Sequence, residues 1–397
     1  MKKQTVRERE VAGRRILVRV DFNVPLDKAR GKVNSDQRLL AVLPTINYLI
    51  EQGAKVILCS HLGRPGGKVV EELRLAPVAQ RLSELLGKRV IYVRDCIGPE
   101  VEREVAQLRE GDILLLENLR FHPGEENNDP EFARALANLA ELFVNDALSV
   151  SHRAHASTVG VTHYLPAVAG FLMEKELDYL GRVLTIPARP FAVLIGGAKV
   201  ADKIGLLERI SQKVDVLLIG GGMANTFLKA QGWEVGNSRV EEDKLDFARH
   251  LLQEVSDNDG QLLLPSDVVV ARGLDSGEVR TVRVGEVPPG WQILDIGPQT
   301  VQQFAKELKR CKLILWNGPM GVFEHPPFAR GTWALAEILA GVEATTIVCG
   351  GDSAAALEKL GLTSQMSFVS MGGGASLRFL EGATLPGVAA LLDREPE

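Results

Sequence analysis

The stretch FAVLIGGAKVADKIGLLERI, at residues 191–210, places two glycines and two lysines directly after an apolar run. This pattern predicts a strand that turns into a helix, with Lys199 and Lys203 four residues apart on one helical face. Glycines at such a turn let backbone N–H groups approach a phosphate, and the lysines supply positive charge. The spacing differs from that of the Walker loop, GxxxxGK(S/T). The stretch by itself leaves both a phosphate site and a simple tight turn open.

Further apolar runs in the second half of the chain also end in glycine. With the first, these turns are IGGAK (195–199), IGGGMANTF (219–227), WNGPMGVFE (316–324), CGGDS (349–353) and MGGGAS (371–376). One such turn indicates only strand-to-helix geometry, whereas five on one rim indicate a site for nucleotide phosphates. Glu324 can accept hydrogen bonds from the vicinal hydroxyls of a ribose. Asp352 would either support a divalent cation beside the phosphates or share the cap of the following helix with Ser353.

The strand ends of the first half carry arginine and histidine instead. They are VDFN (20–23), SHLGRP (60–65), ENLRFH (117–122) and NDALSVSHRAH (145–155), and Arg38 and Arg19 lie nearby in the sequence. The planar fork of arginine matches phosphate and carboxylate, so this repetition predicts an anion cup. Asp21 would repel an anion and is expected to accept a substrate hydroxyl or to orient an arginine. A metal pair at His152 and His155 is disfavoured, because no third ligand is near in the sequence.

Short β-branched runs, which alternate with amphipathic stretches, must position these side chains. The runs predicted as strands are 15–21, 55–60, 89–93, 112–118, 142–146, 191–195, 214–220, 261–271, 311–316, 345–350 and 367–370. Helices are predicted between them, for example at 75–87 and at 44–52, where Pro44 suits a first helical position. Apolar strands that alternate with helices indicate parallel sheets covered on both faces. Ligands bind such sheets at the carboxyl ends of the strands.

The two series of strands meet at residues 171–190, which are predicted as one helix ended by Pro187 and Pro190. The predicted fold class is therefore α/β, with two doubly wound, Rossmann-like parallel-sheet domains joined by a helix and a cleft between them. The first domain is expected at 1–170 and the second at 191–379. A chain of 397 residues has room for two or three domains of roughly 150 residues each.

Composition limits the classes of function. A net charge of −5 and a pI near 5.9 argue against a broad polyanion-binding surface, so nucleic acid is not an expected partner. The four cysteines show neither a disulfide framework nor metal-ligand spacing, which suits a reducing compartment. The charged N-terminus lacks the apolar region of a signal peptide, and no apolar run reaches about 18 residues. We therefore expect a soluble, cytoplasmic protein without a membrane partner.

One half of the chain thus holds a small anion by arginine, and the other holds a nucleotide by glycine turns and lysines. The sequence shows no Ser-His-Asp set, no paired buried carboxylates and no reactive cysteine. Phosphoryl transfer requires none of these, because it depends on positioning and charge stabilisation. A carboxylate acceptor is already ionised at pH 7 and needs no general base. Transfer between an acyl phosphate and a nucleotide requires exclusion of solvent, so we expect hinge closure.

Blocks of sequence along essentially the whole chain carry a resemblance to one family. They are VRVDFNVPLD (18–27), SHLGRP (60–65), LLENLRFHPGEE (115–126), SHRAHAS (151–157), GGAKVADKI (196–204), LDIGP (294–298), WNGPMGVFE (316–324), GGDSAAAL (350–357) and GGGASLRFLEG (372–382). In order and spacing these blocks closely resemble phosphoglycerate kinase. The resemblance implies reversible phosphoryl transfer between 1,3-bisphosphoglycerate and MgADP, giving 3-phosphoglycerate and MgATP, in glycolysis, gluconeogenesis or carbon fixation. It also implies a monomer whose C-terminal segment, 380–397, joins the first domain.

Matching positions imply roles for individual residues. The phosphoglycerate would be bound by Asp21, Phe22, Asn23, Arg38, His61, Leu62, Gly63, Arg64, Arg120 and Arg153. The ATP or ADP would be bound by Gly197, Lys199, Lys203, Ile293, Asn317, Glu324, Gly350, Gly351, Asp352 and Ser353, with Asp352 supporting Mg²⁺ through the nucleotide phosphates. The transferring phosphoryl group would be neutralised by Arg38, Lys199, Lys203 and the helix that begins at Gly373 and Gly374.

The chain departs from the family pattern at several positions. The family usually reads DAFGTAHRAH where this chain has DALSVSHRAH, so a glycine is lost in the stretch Leu148–Ser149–Val150–Ser151. Phe368 and Met371 stand where histidine and threonine are common, and Ile293 replaces a glycine often found beside the adenine. None of these departures removes a charge assigned to the transferring phosphoryl group. These departures concern the conformation of the loop near residue 149, the absence of a hydroxyl at position 371 and the fit of the adenine base.

Two alternatives belong to other classes of function. A NAD-dependent dehydrogenase also uses doubly wound sheets with glycine turns, but it predicts GxGxxG after a first strand, which GGAKVA and GGGMAN do not match. An inactive binding protein of the same fold is the second alternative. The presence of Arg38, Lys199, Lys203 and Asp352 argues against it.

Overall fold

A computed structural model of the chain describes residues 2–27, 31–185 and 187–394. The chain forms two compact units, of which unit 1 comprises Met1–Asp178 with Thr384–Glu397 and unit 2 comprises Tyr179–Ala383. The division falls inside the helix of the predicted linking segment, 171–190. Parts of the predicted domains and of that segment lie outside the described residues, namely Met1, 28–30, Ile186 and 395–397. The assignment of the units to separate substrates stays a prediction.

The strands of the described residues follow in chain order. They are β1 (Arg15–Arg19), β2 (Leu26–Asp27), β3 (Lys32–Val33), β4 (Lys55–Cys59), β5 (Val90–Tyr92), β6 (Ile113–Leu115), β7 (Leu142–Asn145), β8 (Ala167–Ala169), β9 (Phe191–Ile195), β10 (Val216–Ile219), β11 (Gln261–Leu263), β12 (Asp267–Ala271), β13 (Val279–Arg283), β14 (Gln292–Ile296), β15 (Leu313–Asn317), β16 (Thr345–Cys349) and β17 (Phe368–Val369). Each predicted strand overlaps an observed one, which confirms the alternating pattern. Most observed strands are shorter than predicted, because the polar residues at their ends lie in loops.

The helices occupy the intervals between these strands. They are α1 (Gln37–Glu51), α2 (Ala76–Leu86), α3 (Pro99–Ala106), α4 (Pro123–Glu126), α5 (Pro130–Ala137), α6 (Phe171–Leu184), α7 (Ile204–Ile210), α8 (Gly221–Ala230), α9 (Leu245–Asp257), α10 (Pro298–Leu308), α11 (Arg330–Ala340), α12 (Gly351–Leu360), α13 (Gly374–Leu380) and α14 (Pro386–Ala389). Within the described ranges, no helix has the length and apolar character that a bilayer span requires. The α/β class predicted from the sequence is confirmed.

In unit 1, strands β5, β6, β4, β1, β7 and β8 form one sheet in that order, and every pairing is parallel. The central strand β1 is buried on both faces, which explains its continuous apolar run. Its last residue, Arg19, is in register with Cys59 of β4 and Asn145 of β7. The loops that follow these three strands therefore start side by side at one edge of the sheet.

The C-terminal segment completes unit 1. The Leu392 backbone N–H donates to the Ala167 carbonyl of β8 at 2.9 Å. The buried ammonium group of Lys3 forms an ion pair with Asp393 at 2.7 Å and donates to the Leu391 carbonyl at 2.8 Å. These bonds tie the two ends of the chain together beside the outermost strand of the sheet.

The helix predicted at 44–52 begins earlier, because α1 spans Gln37–Glu51 and contains Pro44 in its interior. The prediction that Pro44 occupies the first helical position is wrong. Proline in a helix leaves the carbonyl of residue i−4 without its N–H donor, here that of Leu40. Both residues are exposed, so water can hydrogen-bond that carbonyl. The apolar face, which includes Leu39, Ile46 and Leu49, continues across the proline and holds the helix on the sheet.

In unit 2, strands β11, β10, β9, β15, β16 and β17 form a second parallel sheet in that order. A separate antiparallel sheet, β13-β12-β14, was not predicted. The run 261–271 was predicted as one strand, but it divides near Pro265 into β11 and β12, which belong to different sheets. Strand β13 escaped prediction because its sequence, VRTVR, is largely exposed and lacks a continuous apolar run.

Candidate active site

The turn after β9 holds Lys199 outside any helix. The Gly196 N–H donates to the Asn317 carbonyl at 3.0 Å, and the Gly197 N–H donates to the Pro319 carbonyl at 2.9 Å. These bonds bind the chain to the loop after the neighbouring strand, so α7 begins only at Ile204. The prediction that Lys199 and Lys203 share one helical face is therefore wrong. Both lysines nevertheless belong to the same strand-to-helix connection.

Lys203 lies at the carboxyl end of the sheet. Its ammonium group donates to the side-chain oxygen of Asn317, the last residue of β15. Burial lowers the pKa of Lys203, and the negative charges of Asp202 and Asp352 partly oppose this shift. The Asn317 amide also donates to the Cys349 carbonyl at 3.1 Å, which fixes its oxygen toward the lysine. Lys203 is thus a positioned cation close to the start of α12.

The glycines of these turns fall into two groups. A methyl group on Gly196, Gly221 or Gly318 would collide with the backbone of a neighbouring turn, for example 2.7 Å from the Gly197 nitrogen in the case of Gly221. These glycines let three turns interlock. In contrast, a methyl group would meet nothing within 4 Å at Gly197, Gly351, Gly373 and Gly374. The second group, all of them predicted ligand-binding residues, presents open backbone at which a phosphate can approach.

Helix α12 begins at Gly351, and Gly350 is its N-cap with φ 97°. The Ser353 hydroxyl accepts a hydrogen bond from the Gly318 N–H at 2.7 Å. The suggestion that Asp352 and Ser353 share the helix cap is therefore wrong, since neither side chain makes a capping hydrogen bond. Asp352 is exposed, and within residues 2–27, 31–185 and 187–394 its carboxylate has no hydrogen bond or ion pair. Its oxygens are free to face a ligand at the N-terminus of a ten-residue helix.

Ile293 precedes β15 in the chain, and Glu324 follows it. Ile293 belongs to β14, its N–H donates to the Ser238 hydroxyl at 2.8 Å, and its side chain lines a small cavity together with Asn225 and Met320. Glu324 is exposed in the loop after β15. The replacement of glycine by isoleucine thus adds an apolar wall to the cavity without breaking the strand.

Two other departures from the family pattern, Phe368 and Met371, lie in unit 2. Phe368 stacks on Tyr179, with ring centroids 4.7 Å apart and planes 2° from parallel. Beside Met371, the hydroxyls of Ser370 and Ser376 are 2.6 Å apart, and the Gly372 N–H donates to Ser370 at 3.2 Å. Serine hydroxyls therefore support the glycine turn that begins α13.

Unit 1 gathers positive charge at the carboxyl edge of its sheet. Burial is the main cause that lowers the pKa of His61 well below 6.5, and the charges of Arg19, Arg120 and Arg38 lower it further. Burial likewise lowers the pKa of Arg120, and the charges of Arg19 and Arg153 add to that shift. Both shifts have the direction that neighbouring positive charges produce among the predicted cup residues Arg38, His61, Arg120 and Arg153.

Arg19 supports this cluster from inside the sheet. It is 1% exposed, its Nε donates to the Ser157 hydroxyl at 2.9 Å, and one Nη lies 3.2 Å from His61 Nδ1. The Ser157 hydroxyl in turn donates to the buried carboxylate of Glu125 at 2.6 Å. Arginine can only donate, so His61 Nδ1 must accept, and the proton of the neutral ring is on Nε2. His61 is therefore a neutral hydrogen-bond donor.

The Asp21 carboxylate accepts hydrogen bonds from three donors. One carboxylate oxygen accepts the Asn23 N–H at 3.0 Å, and the other accepts both Arg38 Nη1 and the Ser149 hydroxyl. Asp21 thus orients an arginine, which is one of the two roles predicted for it. Ser149, where the family usually has glycine, was missed as a site residue. Its φ is not positive, so this loop has no need of glycine.

The remaining predicted residues differ in exposure. Arg64 and Arg153 are exposed, whereas Arg120 is 5% exposed and donates to the Gly63 carbonyl at 2.8 Å.

Phe22 and Leu62 have buried side chains that belong to the core, so only their backbone can face a ligand. Gly63 has φ 64°, and a methyl group there would lie 2.9 Å from Leu73. Asn23 is exposed, and its side-chain oxygen accepts the Gly63 N–H at 2.9 Å.

His155 is expected to make the stability of unit 1 depend on pH. Burial and the charges of Arg120 and Arg19 lower its pKa from 6.5 to about 4. The unfolded chain therefore binds a proton below pH 6.5 that the folded chain does not, and stability is lost as the pH falls toward 4. We expect His155→Gln to remove this contribution, by at most about 1.4 kcal/mol per pH unit. The measurement is urea unfolding of both proteins at pH 7.5 and pH 5.0.

The control for this prediction is His163→Gln, because His163 is exposed in the same unit. The control should lose stability between the two pH values as much as the unsubstituted protein does. If His155→Gln also shows the unsubstituted pH dependence, the buried neutral state assigned to His155 is wrong.

The chain is similar in sequence and structure to known proteins of one family. The sequence model of a family described as phosphoglycerate kinase matches residues 6–383. A protein of Pelotomaculum thermopropionicum named phosphoglycerate kinase is 57% identical over 395 residues, which cover 99% of this chain and 100% of the relative. The corresponding protein of Moorella thermoacetica is 55% identical over 395 residues, with the same coverage. The solved structure of phosphoglycerate kinase from Coxiella burnetii has a TM-score of 0.88 and 42% identity, and covers 98% of both chains.

Proposed function

Because the chain belongs to the phosphoglycerate kinase family, an enzyme family of phosphotransferases, we propose that it transfers a phosphoryl group reversibly between 1,3-bisphosphoglycerate and MgADP. The products are 3-phosphoglycerate and MgATP. The observation that supports the proposal is the kind of residue found at the carboxyl edge of each sheet. The carboxyl edge of one sheet gathers arginines around a neutral histidine, and that of the other combines open glycine backbone with Lys203.

In the proposed phosphoglycerate site, Arg64 and Arg153 are the exposed arginines that meet the ligand anions. Arg38 and Arg120 are more deeply placed and are already oriented by Asp21 and the Gly63 carbonyl. His61 donates through Nε2 to a ligand oxygen without carrying charge. Charge-assisted hydrogen bonds from arginine are stronger than neutral ones and match phosphate and carboxylate in shape.

In the proposed nucleotide site, the phosphates lie against the open backbone of Gly197, Gly351, Gly373 and Gly374, and Lys199 and Lys203 supply positive charge. Gly350, Ser353 and Asn317 hold the turn that presents this backbone. Glu324 accepts the ribose hydroxyls, and Ile293 contacts the base. Asp352 suits Mg²⁺, because it is an exposed carboxylate without a hydrogen bond or ion pair among the described residues and Mg²⁺ prefers oxygen ligands. When bound, Mg²⁺ neutralises charge on the nucleotide phosphates.

The proposed step needs no general base. In the ATP-consuming direction, a carboxylate oxygen of 3-phosphoglycerate forms a bond to the terminal phosphorus, and the bond from that phosphorus to the bridging oxygen of ADP breaks. Arg38, Lys199 and Lys203 stabilise the negative charge on the transferred group. Such transfer requires exclusion of water, so we include closure about the segment 171–190 in the proposal. We further propose that the chain acts as a cytoplasmic monomer in glycolysis, gluconeogenesis or carbon fixation.

The test is a coupled assay of ATP consumption. We expect consumption of ATP that requires both 3-phosphoglycerate and Mg²⁺ and that stops when either is omitted. Absence of this dependence at saturating concentrations would contradict the proposal. A Mg²⁺ titration of both proteins tests the role assigned to Asp352, because Asp352→Asn should raise the Mg²⁺ concentration required for half-maximal activity.

Arg64→Ala is expected to weaken phosphoglycerate binding and to leave turnover within about twofold. Arg64 is exposed, so its loss disturbs little of the fold. The loss of charge-assisted hydrogen bonds to the ligand should raise KM for 3-phosphoglycerate roughly tenfold or more. Initial rates measured across 3-phosphoglycerate concentrations at saturating MgATP separate KM from kcat.

The matched control is Arg94→Ala, since Arg94 has a 70% exposed side chain and lies outside the predicted site. Its KM should stay unchanged. An Arg64→Ala protein with unchanged KM would remove Arg64 from the proposed site.

A further inference from the structure

The loop after β7 is fixed by a serine that departs from the family pattern. Ser151, where that pattern has alanine, is buried, and its hydroxyl donates to the Ala147 carbonyl at 2.9 Å. The same hydroxyl accepts the side-chain amide of Asn145, the last residue of β7, at 3.1 Å. The Asn145 oxygen in turn accepts the Ala147 N–H at 3.1 Å. The loop therefore leaves the strand in a defined conformation.

The C-terminal segment also holds this loop. The Gly387 N–H donates to the Ser151 carbonyl at 2.9 Å, and the Gly387 carbonyl accepts the Asn145 amide at 3.2 Å. A methyl group on Gly387 would lie 2.9 Å from the Ser151 Cα, so the two backbones are in direct contact. A loop that is bonded in this way can hold a polar side chain at a set position.

Ser149 is the side chain through which this loop reaches Arg38. It lies in a 3₁₀ turn, Leu148–Val150, and its hydroxyl donates to the Asp21 oxygen that also accepts Arg38 Nη1. The other Asp21 oxygen accepts the Asn23 N–H at 3.0 Å. Asn23 thus fixes one oxygen of the carboxylate, and Ser149 fixes the oxygen that holds the arginine. Without the serine hydroxyl, the Asp21–Arg38 pair loses its bond to the loop and can shift as a unit.

We propose that Ser149 is a positioning residue, which acts through Asp21 to hold the Arg38 guanidinium in the orientation used in phosphoryl transfer. This inference rests on the proposed function, which assigns Arg38 to the transferred group. Glycine, the usual residue of the family at this position, has no side-chain donor and cannot have this role. A small displacement of a group that stabilises the transferred charge lowers turnover. Binding of the phosphoglycerate also depends on Arg64 and Arg153, so the effect is expected in kcat.

The experiment compares the unsubstituted protein with Ser149→Ala and Ser149→Thr in the coupled assay, with each substrate varied in turn. We expect Ser149→Ala to lower kcat about three- to tenfold and to leave KM for 3-phosphoglycerate within about twofold. Ser149→Thr keeps the hydroxyl and should recover at least about half of the unsubstituted kcat.

Ser83→Ala is the matched control, because Ser83 is also a half-buried serine of unit 1. Its hydroxyl donates to the Ala79 carbonyl at 2.9 Å and accepts the Val90 N–H at 3.0 Å, so its bonds serve the fold and lie outside the proposed site. The kcat and KM of this variant should equal those of the unsubstituted protein.

A second measurement separates positioning of Arg38 from a general effect on the fold. In the Arg38→Ala background, Ser149→Ala should cause no further loss of kcat, because the group that it positions is absent. An equal loss in both backgrounds would mean that Ser149 acts independently of Arg38, and the inference would be overturned.

Three results with the single variants would also overturn it. They are a normal kcat in Ser149→Ala, a rise in KM with kcat unchanged, and a Ser149→Thr protein as slow as Ser149→Ala. An unsubstituted protein without activity toward 3-phosphoglycerate would instead contradict the proposed function, so the two failures are distinguishable.

Discussion

Lys203→Ala is expected to lower kcat roughly 10²- to 10³-fold while the dissociation constant of ADP changes only a few-fold. The open glycine backbone and Lys199 remain to hold the nucleotide. What is lost is a positive charge that Asn317 orients and that lies close to Asp352. Such a charge matters most when negative charge is transferred, so the loss should appear in turnover. The measurements are steady-state kinetics in the coupled assay and calorimetry with MgADP.

Lys309→Ala is the matched control, because Lys309 is an exposed lysine in the same unit, at the end of α10. It should retain normal turnover and normal ADP affinity. Near-normal turnover in Lys203→Ala would remove Lys203 from the catalytic step. A large loss of ADP affinity with normal kcat would assign it to binding alone.

The pair Lys199 and Lys203 illustrates what could be predicted from the sequence. The order of strand, glycine turn and helix is a local property, and it was confirmed. The exact start of the helix depends on bonds from Gly196 and Gly197 to the last residue of β15 and the loop after it, which are more than 100 positions away in the chain. Local periodicity contains no information about such partners, so the shared helical face was a wrong prediction.

The glycine turns were recognised, but their two purposes could not be separated from the sequence. Gly221 is required by the nearby backbone of Gly197, whereas Gly351 and Gly374 have open space in front of them. The two kinds of glycine cannot be told apart in the amino-acid sequence. The distinction needs the positions of neighbouring strands, because crowding arises between turns that are distant in sequence.

The arginine cup was predicted from residue type and strand position, and the structure does bring most of its members together. Two features were beyond that reasoning. The tautomer of His61 depends on the buried guanidinium of Arg19, and Ser149 reaches Asp21 from another loop. The only sequence signal for Ser149 was its departure from the family pattern. The antiparallel sheet was also missed, since its exposed strand β13 has no apolar periodicity.

Arg38→Ala is expected to lower kcat by roughly 10²- to 10³-fold, in contrast to the effect on KM expected for Arg64→Ala. Arg38 donates to Asp21, and its side chain is 31% exposed, so it is held in place yet open to a ligand. Burial lowers the pKa of its guanidinium, but arginine remains charged at neutral pH. The loss of Arg38 therefore removes an oriented positive charge. Steady-state kinetics with both substrates saturating measure this effect.

Arg38→Lys is the informative comparison, because it keeps the charge but loses the planar fork. We expect it to recover only part of the turnover lost in Arg38→Ala. If the alanine variant turns over normally, Arg38 has no part in the transfer. If the lysine variant is fully active, charge is sufficient and the geometry of the guanidinium is not required.

The double variant Arg38→Ala with Lys203→Ala tests whether the two charges act on one phosphoryl group. Residues that act as a unit have strongly non-additive effects on turnover, since the first loss already removes most of what they achieve together. We therefore expect the double variant to lose far less than the product of the two single losses. If the loss of kcat in the double variant equals the product of the two single losses, Arg38 and Lys203 act independently. Shared stabilisation of one transferred group would then be ruled out.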